Sequence, residues 1–380
     1  MKIFAFIFIL LFSVSAQAAP LNTSLPLPPP PDIAAKAYLL VDFNSGQALV
    51  SVRPNDRIDP ASLTKLMTAY LAFSAIKQGR LTLSQTLPVS ERAWKTEGSR
   101  MFIEPNKPAS VEDLLRGVIV QSGNDACITL AEGIAGSEET FAQMMNQQAQ
   151  KFGMSNTHFV NSTGLPHPQH YTTARDLGIL ATAVIRDFPQ FYPLYSLKEF
   201  TYNNITQANR NRLLWRDPDV DGMKTGHTES AGFCLIASAK REQRRLISVV
   251  MGTSSETMRA LESQKLLNYG FQFYDSARVY QNGQTVTTLP IWKGAQKTVK
   301  AGFSQDIHFS FPRGQYEKLK ATLTFNQPLL APFSIGQKVG LVKLTFDGKP
   351  VGEYPLVALE NVAVANIFGR AWDSMKLWFK

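Results

Sequence analysis

The stretch that most constrains this chain is Leu66-Met67-Thr68-Ala69-Tyr70-Leu71-Ala72-Phe73, an apolar run without Gly or Pro. It reads as a helix buried in a core, with Pro60 near its start. Just ahead of it stands Ser62-Leu63-Thr64-Lys65. On a helix, positions i and i+3 share a face, so the Ser62 hydroxyl and the Lys65 amine can point into one pocket. A serine is a poor nucleophile until a neighbouring base takes its proton. A lysine serves as that base only where desolvation or a second cation lowers its pKa. Backbone N–H groups and the positive dipole end at a helix N-terminus favour a developing oxyanion. Taken alone, S-x-x-K also fits a helix-capping Ser beside an exposed Lys.

With 380 residues, 44% hydrophobic and 18% charged, the chain can bury a full core and is expected to hold two domains. Its formal charge of +9 suits an anionic partner such as a membrane surface or cell-wall polymer. Lys and Arg form no stripe with interleaved aromatics, which excludes nucleic acid as the expected partner. Residues 1–18 combine Lys2, a short apolar core from Ile3 to Phe12 and Ala16-Gln17-Ala18. That is a signal peptide with cleavage near Ala18–Ala19, and an uncleaved anchor is the alternative. Cys127 and Cys234 sit among apolar neighbours and read as buried free thiols, with a disulfide as the other reading.

Residues 19–32 are Pro-rich and read as an extended leader. Tyr38–Asp42 and Gln47–Val52 around Asn44-Ser45-Gly46 predict a β-hairpin. Leu81–Arg100 reads as turns and short strands that either border a site or form an ordinary surface connection. Helices are predicted over Val111–Val120 with Ser110 as N-cap, Ala126–Ala135, Glu138–Phe152, Thr173–Arg186 and Arg259–Tyr274. Phe233–Ala239 and Arg245–Met251 read as strands. A hairpin, a helical middle and late strands predict one antiparallel sheet built from both ends of a domain spanning 33–275. Over 276–358, short apolar runs alternate with turns such as Gln281-Asn282-Gly283 and Asp347-Gly348-Lys349, the pattern of a small all-β sandwich or barrel. A spacer or protein-interaction role is expected there. The tail, assigned to 359–380, carries Ile367, Phe368, Trp372, Met375 and Trp378 at three- and four-residue spacing. This predicts an amphipathic helix that either lies in a membrane interface or docks on its own domain.

Two further stretches bear on Ser62 and Lys65. Ser122-Gly123-Asn124 lies where one helix breaks before another and offers a hydroxyl for proton relay and an amide. A capping turn is the alternative. Lys224-Thr225-Gly226-His227 offers a cation, a hydroxyl for a carboxylate and a Gly that permits close backbone approach; an edge strand with a Gly break is the alternative. The three stretches, in this order and separated by 60 and 102 residues, resemble the S-x-x-K, S-x-N and K-T-G set of penicillin-binding proteins and serine β-lactamases. The text around each motif, together with Asn156-Thr157-His158-Phe159, Asn209-Arg210-Asn211 and Pro312-Arg313-Gly314, resembles the D-alanyl-D-alanine carboxypeptidases of the penicillin-binding protein 5/6 family. The likeness covers nearly the whole mature chain.

The resemblance implies an α+β fold: a transpeptidase-like domain with an antiparallel sheet and a helical subdomain, then a β-sandwich and an amphipathic anchor. It implies a serine-type carboxypeptidase acting on peptidoglycan stem pentapeptides, acylated by β-lactams, exported and attached to the outer face of the inner membrane. Carried onto this sequence, Ser62 is the nucleophile, Lys65 the general base, Ser122 a proton relay and Asn124 an orienting group. Lys224, Thr225, Gly226, His227 and Arg259 contact the substrate, and the N–H groups of Ser62 and His227 form the oxyanion hole. No cofactor is implied, and the five histidines show no metal-ligand spacing. One departure separates the chain from class A β-lactamases, which pair S-D-N with a Glu that activates the deacylating water: here the second motif is S-G-N, and no matching Glu-x-x-Leu-Asn stretch is present. β-Lactams are therefore expected to acylate Ser62 and leave slowly. An endopeptidase or β-lactamase on the same scaffold, or a β-lactam-binding sensor, are the competing readings.

Overall fold

The computed structural model describes residues 27–378. The expected signal sequence, residues 19–26 of the leader, and Phe379 and Lys380 lie outside the described residues. What is described of the leader has no regular structure, but it is held along the domain: the Pro28 carbonyl accepts from the Tyr269 hydroxyl at 2.7 Å and the Asp32 carbonyl from Lys265 at 3.0 Å.

The N-terminal hairpin is β1 (Ala37–Asp42) and β2 (Ala48–Val52), turning at Gly46. Three late strands, β3 (Val220–Thr228), β4 (Gly232–Arg241) and β5 (Arg244–Thr253), complete an antiparallel sheet in the order β2–β1–β5–β4–β3. Ala37 sits opposite Met251, so the sheet is indeed closed between the two ends of the domain. Strand β1 is buried along its whole length, and alternation divides its side chains between two cores. Leu39 and Val41 join Ile247 and Val249 on the face covered by the helical region. Leu40 joins Leu246, Val250 and Leu266 on the other.

The helical region holds α1 (Lys65–Lys77), α2 (Val111–Arg116), α3 (Asn124–Ala135), α4 (Glu138–Phe152) and α5 (Ala174–Asp187); α6 (Glu256–Phe273) covers the opposite face of the sheet. Ten of the thirteen residues of α1 are buried, as its all-round apolar character requires. Ser110, Ser137, Thr173 and Ser255 each accept the N–H three residues on, so caps set where α2, α4, α5 and α6 begin. Two local readings are corrected. Ser90 caps a short helix, Glu91–Lys95, inside the stretch read as turns. The helix over 111–120 is α-helical only to Arg116, and Gly117–Gln121 widens into a π-type turn.

The second unit starts at β6 (Tyr274–Tyr280) and continues with β7 (Thr285–Pro290), β8 (Thr298–Gly302), β9 (Ile307–Pro312), β10 (Leu319–Thr324), β11 (Lys338–Phe346) and β12 (Lys349–Ala358). Its sheets, β6–β9 and β7–β8–β12–β11–β10, enclose a core of Val299, Phe303, Val342, Leu344 and Leu356: the expected sandwich. It meets the first domain through polar contacts, including Ser310 N–H to Gln47 Oε1 at 2.6 Å and Arg313 to the Phe271 carbonyl at 2.8 Å.

The tail helix α7 spans Ile367–Trp378. It starts later than the spacing suggested, because Val362 and Val364 are taken by bridges to Phe333 and Gly294 of the sandwich. It buries none of its residues, and Phe368 is 85% and Trp378 86% exposed. Among the described residues no helix is long and apolar enough to cross a membrane. Cys127 and Cys234 are buried free thiols, so the disulfide alternative falls.

Candidate active site

Ser62 stands on a 3₁₀ turn, Ala61–Thr64, that feeds directly into α1. In a 3₁₀ turn positions i and i+3 eclipse one another, which brings the two side chains closer than an α-helix would. Lys65 Nζ lies 3.0 Å from Ser62 Oγ. The turn is held from outside: Asp59 Oδ1 accepts Ala61 N–H at 2.8 Å, and Ala61 itself has φ of 47°. Gly164 packs under it so closely that a Cβ there would sit 1.8 Å from the Ala61 carbonyl oxygen.

Lys65 is 1% exposed, and its Nζ has two further partners, Asn124 Oδ1 at 2.7 Å and the Thr163 carbonyl at 2.5 Å. The Asn124 amide is oriented by its own nitrogen, which donates to the Glu97 carbonyl at 2.7 Å. Both carbonyl oxygens around Nζ can only accept, whereas the Ser62 hydroxyl can donate or accept. A neutral amine has two N–H groups and one lone pair. With both N–H groups spent on the carbonyls, the lone pair faces Ser62 Oγ. Burial pushes the Lys65 amine down to about 8, with Cys127 opposing and Arg210 adding to it by smaller amounts, so a substantial neutral fraction exists near neutral pH.

Ser122 follows the π-type turn in the left-handed region, φ 62°, and its hydroxyl accepts from Lys224 Nζ at 2.9 Å. Lys224, Thr225, Gly226 and His227 lie within β3, the edge of the sheet, rather than ahead of the late strands. The edge-strand reading therefore holds, and the same strand brings Thr225, Gly226 and His227 to the wall of a cleft. At Gly226 the close approach is made by the protein: a Cβ would come within 3.2 Å of Leu63 and of the Pro60 carbonyl. The expectation of a fixed cation at Lys224 needs an addition. Burial, reinforced by Lys65 and Arg210, holds Lys224 well below the usual lysine range, so its charged form is disfavoured where it stands. His227 stacks on Phe233 with ring centroids 4.0 Å apart. Arg259 is buried, and its guanidinium reaches the Arg210 carbonyl at 3.4 Å and Glu256 at 3.5 Å.

Ser62, Ser122, Thr225, Gly226, His227 and Arg259 line one cleft of about 330 Å³, with Lys65, Asn124 and Lys224 behind its wall. All nine residues singled out in the sequence thus converge. Reasoning from sequence missed the backbone partners Thr163 and Glu97, the packing at Gly164, and Glu256. It also missed two supports. Asp125 accepts from the N–H groups of Met101, Phe102 and Ile103, pinning the segment after Gly98 and Ser99 that lines the cleft. His170 accepts Val160 N–H on Nδ1 at 3.0 Å, so its proton is on Nε2, which meets Thr64 Oγ1 at 2.8 Å. Among the described residues no three His, Cys, Asp or Glu side chains gather in a way that could hold a metal ion.

Residues 25–255 match the family model of D-alanyl-D-alanine carboxypeptidases, and residues 274–364 match that of the penicillin-binding protein 5 C-terminal domain. The chain is 41% identical to D-alanyl-D-alanine carboxypeptidase DacC of Escherichia coli, over 98% of this chain and 94% of that one. Its structure is similar to that of penicillin binding protein 5 from Haemophilus influenzae, with a TM-score of 0.85 at 41% identity, covering 88% of this chain and 99% of that one. A structure of penicillin-binding protein D2 from Listeria monocytogenes in its ampicillin-bound form matches at a TM-score of 0.60 and 30% identity, over 64% of this chain and all of that one.

Proposed function

The chain belongs to the D-alanyl-D-alanine carboxypeptidase family, and from that premise we propose how its residues divide the reaction. It is a serine-type carboxypeptidase that removes the terminal D-alanine of peptidoglycan stem pentapeptides through an acyl-enzyme, and β-lactams acylate and inhibit it. In our reading Lys65, neutral, takes the Ser62 proton as Oγ attacks the carbonyl between the two D-alanines. The oxyanion is held by the N–H groups of Ser62 and His227. On collapse the C–N bond breaks, and the proton that Lys65 took from Ser62 is relayed through Ser122 to the leaving amine. Water then hydrolyses the Ser62 ester. Asn124 keeps Lys65 aimed at Ser62, and Gly226 and His227 lie along the bound peptide. The substrate carboxylate goes to Thr225 and Arg259, and a negative charge there favours the charged form of buried Lys224.

The observation that carries this reading is the set of partners around Lys65 Nζ, two obligate acceptors and the Ser62 hydroxyl. D-Alanine release from a muropeptide ending in D-Ala-D-Ala tests it. Ser62→Ala is expected to abolish release and penicillin labelling with the fold retained, and release surviving in that variant would refute the nucleophile.

Export to the periplasm and peripheral attachment to the outer face of the inner membrane through α7 complete the proposal. What supports attachment is that Ile367, Phe368, Trp372 and Trp378 remain exposed on a helix that buries none of its residues and meets the sandwich through Asp373, which accepts Lys293 N–H. Removal of residues 363–380 is expected to release the protein from sedimented membranes. Unchanged sedimentation would refute the anchor.

A further inference from the structure

A second groove, of about 660 Å³, opens beside the catalytic cleft, with Arg57, Asp59, His167, Tyr171 and Ser230 among its lining residues. Two chain segments lead from it into the cleft. Asp59 lies three residues before Ser62, and Ser230 three residues after His227. These segments are tied together, since Asp59 Oδ2 accepts from the Thr228 and Ser230 hydroxyls at 2.7 Å each. At about 3.3 Å per extended residue, Ser230 is at most about 10 Å beyond His227, the reach of three peptide residues.

The direction of the substrate follows from the site proposed above, on which this inference rests. The leaving D-alanine points its carboxylate at Thr225 and Arg259, and the reacting carbonyl sits between Ser62 and His227. The acyl side of the peptide must therefore run on past His227 towards Ser230. Two residues upstream of the acylating D-alanine, the stem carries a D-glutamyl unit joined through its γ-carboxyl, which leaves an α-carboxyl free.

The groove's free hydrogen-bonding capacity is donor-rich. Asp59 is already occupied by Ala61 N–H and the two hydroxyls. Arg57 lays its guanidinium over the Tyr171 ring, 4.3 Å from the centroid, and spends one N–H on Asn156 Oδ1 at 3.2 Å. It is otherwise exposed. His167 accepts Gln169 N–H on Nδ1 at 3.1 Å, so its Nε2 carries the proton and it too offers a donor. A planar guanidinium braced on an aromatic ring is a preorganised carboxylate receptor. We propose that this groove is the upstream subsite of the enzyme, in which Arg57 receives the free α-carboxylate of the stem peptide's D-glutamyl residue.

The test is steady-state D-alanine release by wild type and Arg57→Gln from three substrates: diacetyl-L-lysyl-D-alanyl-D-alanine, a full stem pentapeptide, and the same pentapeptide with that α-carboxylate amidated. Arg57→Gln is expected to raise KM about tenfold on the acidic pentapeptide, with kcat unchanged, and to leave the amidated and short substrates within about twofold. Arg57→Lys should recover part of the loss. An equal KM change on the acidic and amidated pentapeptides, or no change on either, would overturn the subsite while leaving the carboxypeptidase reading intact. Failure of the wild type to release D-alanine from any of the three would overturn both.

Discussion

Replacing Asn124 by Asp changes one atom of the site and makes a sharp demand on the mechanism. The carboxylate would stand where the amide oxygen now lies 2.7 Å from Lys65 Nζ. Burial pushes Lys65 from the ordinary lysine value of 10.5 to about 8, a cost to its charged form of about 3 kcal/mol. An opposite charge at contact typically moves a pKa by about 1–3 units, here upward, to between roughly 9 and 11. At pH 7.5 the neutral fraction then falls from about a quarter to about 3% or below, and acylation should fall at least about eightfold. The assay is the second-order rate of Ser62 acylation by penicillin as a function of pH. Wild type should rise about tenfold per pH unit below about 8 and level off above it, whereas Asn124→Asp should keep rising past pH 9. The profile matters more than the drop, because the new carboxylate also faces the Glu97 carbonyl that now receives the amide nitrogen. A variant that is merely misaligned would lose rate at every pH with its inflection still near 8. That result would refute Lys65 as the base whose neutrality limits acylation.

Gly164→Ala tests the packing beneath the nucleophile. With φ of 86° and a Cβ 1.8 Å from the Ala61 carbonyl oxygen, the turn carrying Ser62 has to shift, and acylation should fall by about a hundredfold. Near-normal acylation at an unchanged Tm would show that the turn does not depend on this contact. His170 makes an acid-stability prediction. Burial lowers its folded pKa from the ordinary histidine value of 6.5 to about 4, so its contribution is full above about pH 6.5 and is lost as pH falls towards 4. Urea unfolding should show wild type losing about 3 kcal/mol more than His170→Gln across that window, and parallel losses would refute the assignment.

Much of the site was legible because its chemistry is local. Ser62 and Lys65 are one turn apart, and the apolar run behind them buries Lys65 while Ser62 stays half-buried at the cleft. Short β-rich apolar runs in Tyr38–Asp42 and Arg245–Met251 mark two strands that do pair, although nothing in either segment names the other. The missing parts are contacts through the backbone. The carbonyls of Thr163 and Glu97 reach Lys65 and Asn124 from 98 and 27 residues away, and a carbonyl carries no residue-specific signature. The pattern of apolar residues predicts α6 from Arg259, whereas it begins at Glu256, because Ser255 caps it by accepting Met258 N–H. That shift hid Glu256, which now stands against Arg259 at 3.5 Å. Lys224 shows the opposite limit: its position in the motif was clear, but the depth of its burial, 3% exposed, is a property of the assembled fold.

The order of strands has a kinetic consequence. Strand β1 lies between β2, which follows it at once, and β5, which arrives some two hundred residues later, with Ala37 opposite Met251. A lone two-stranded hairpin is at best marginally stable, so the early hairpin cannot hold as a finished edge. The sheet that floors α1 cannot close until residue 253 is available. Pairing across such a separation is slow, because a long loop must be ordered before its contacts reward it. The domain thus has a built-in delay. A chain destined for export, as proposed here, remains threadable for as long as its fifth strand is held back.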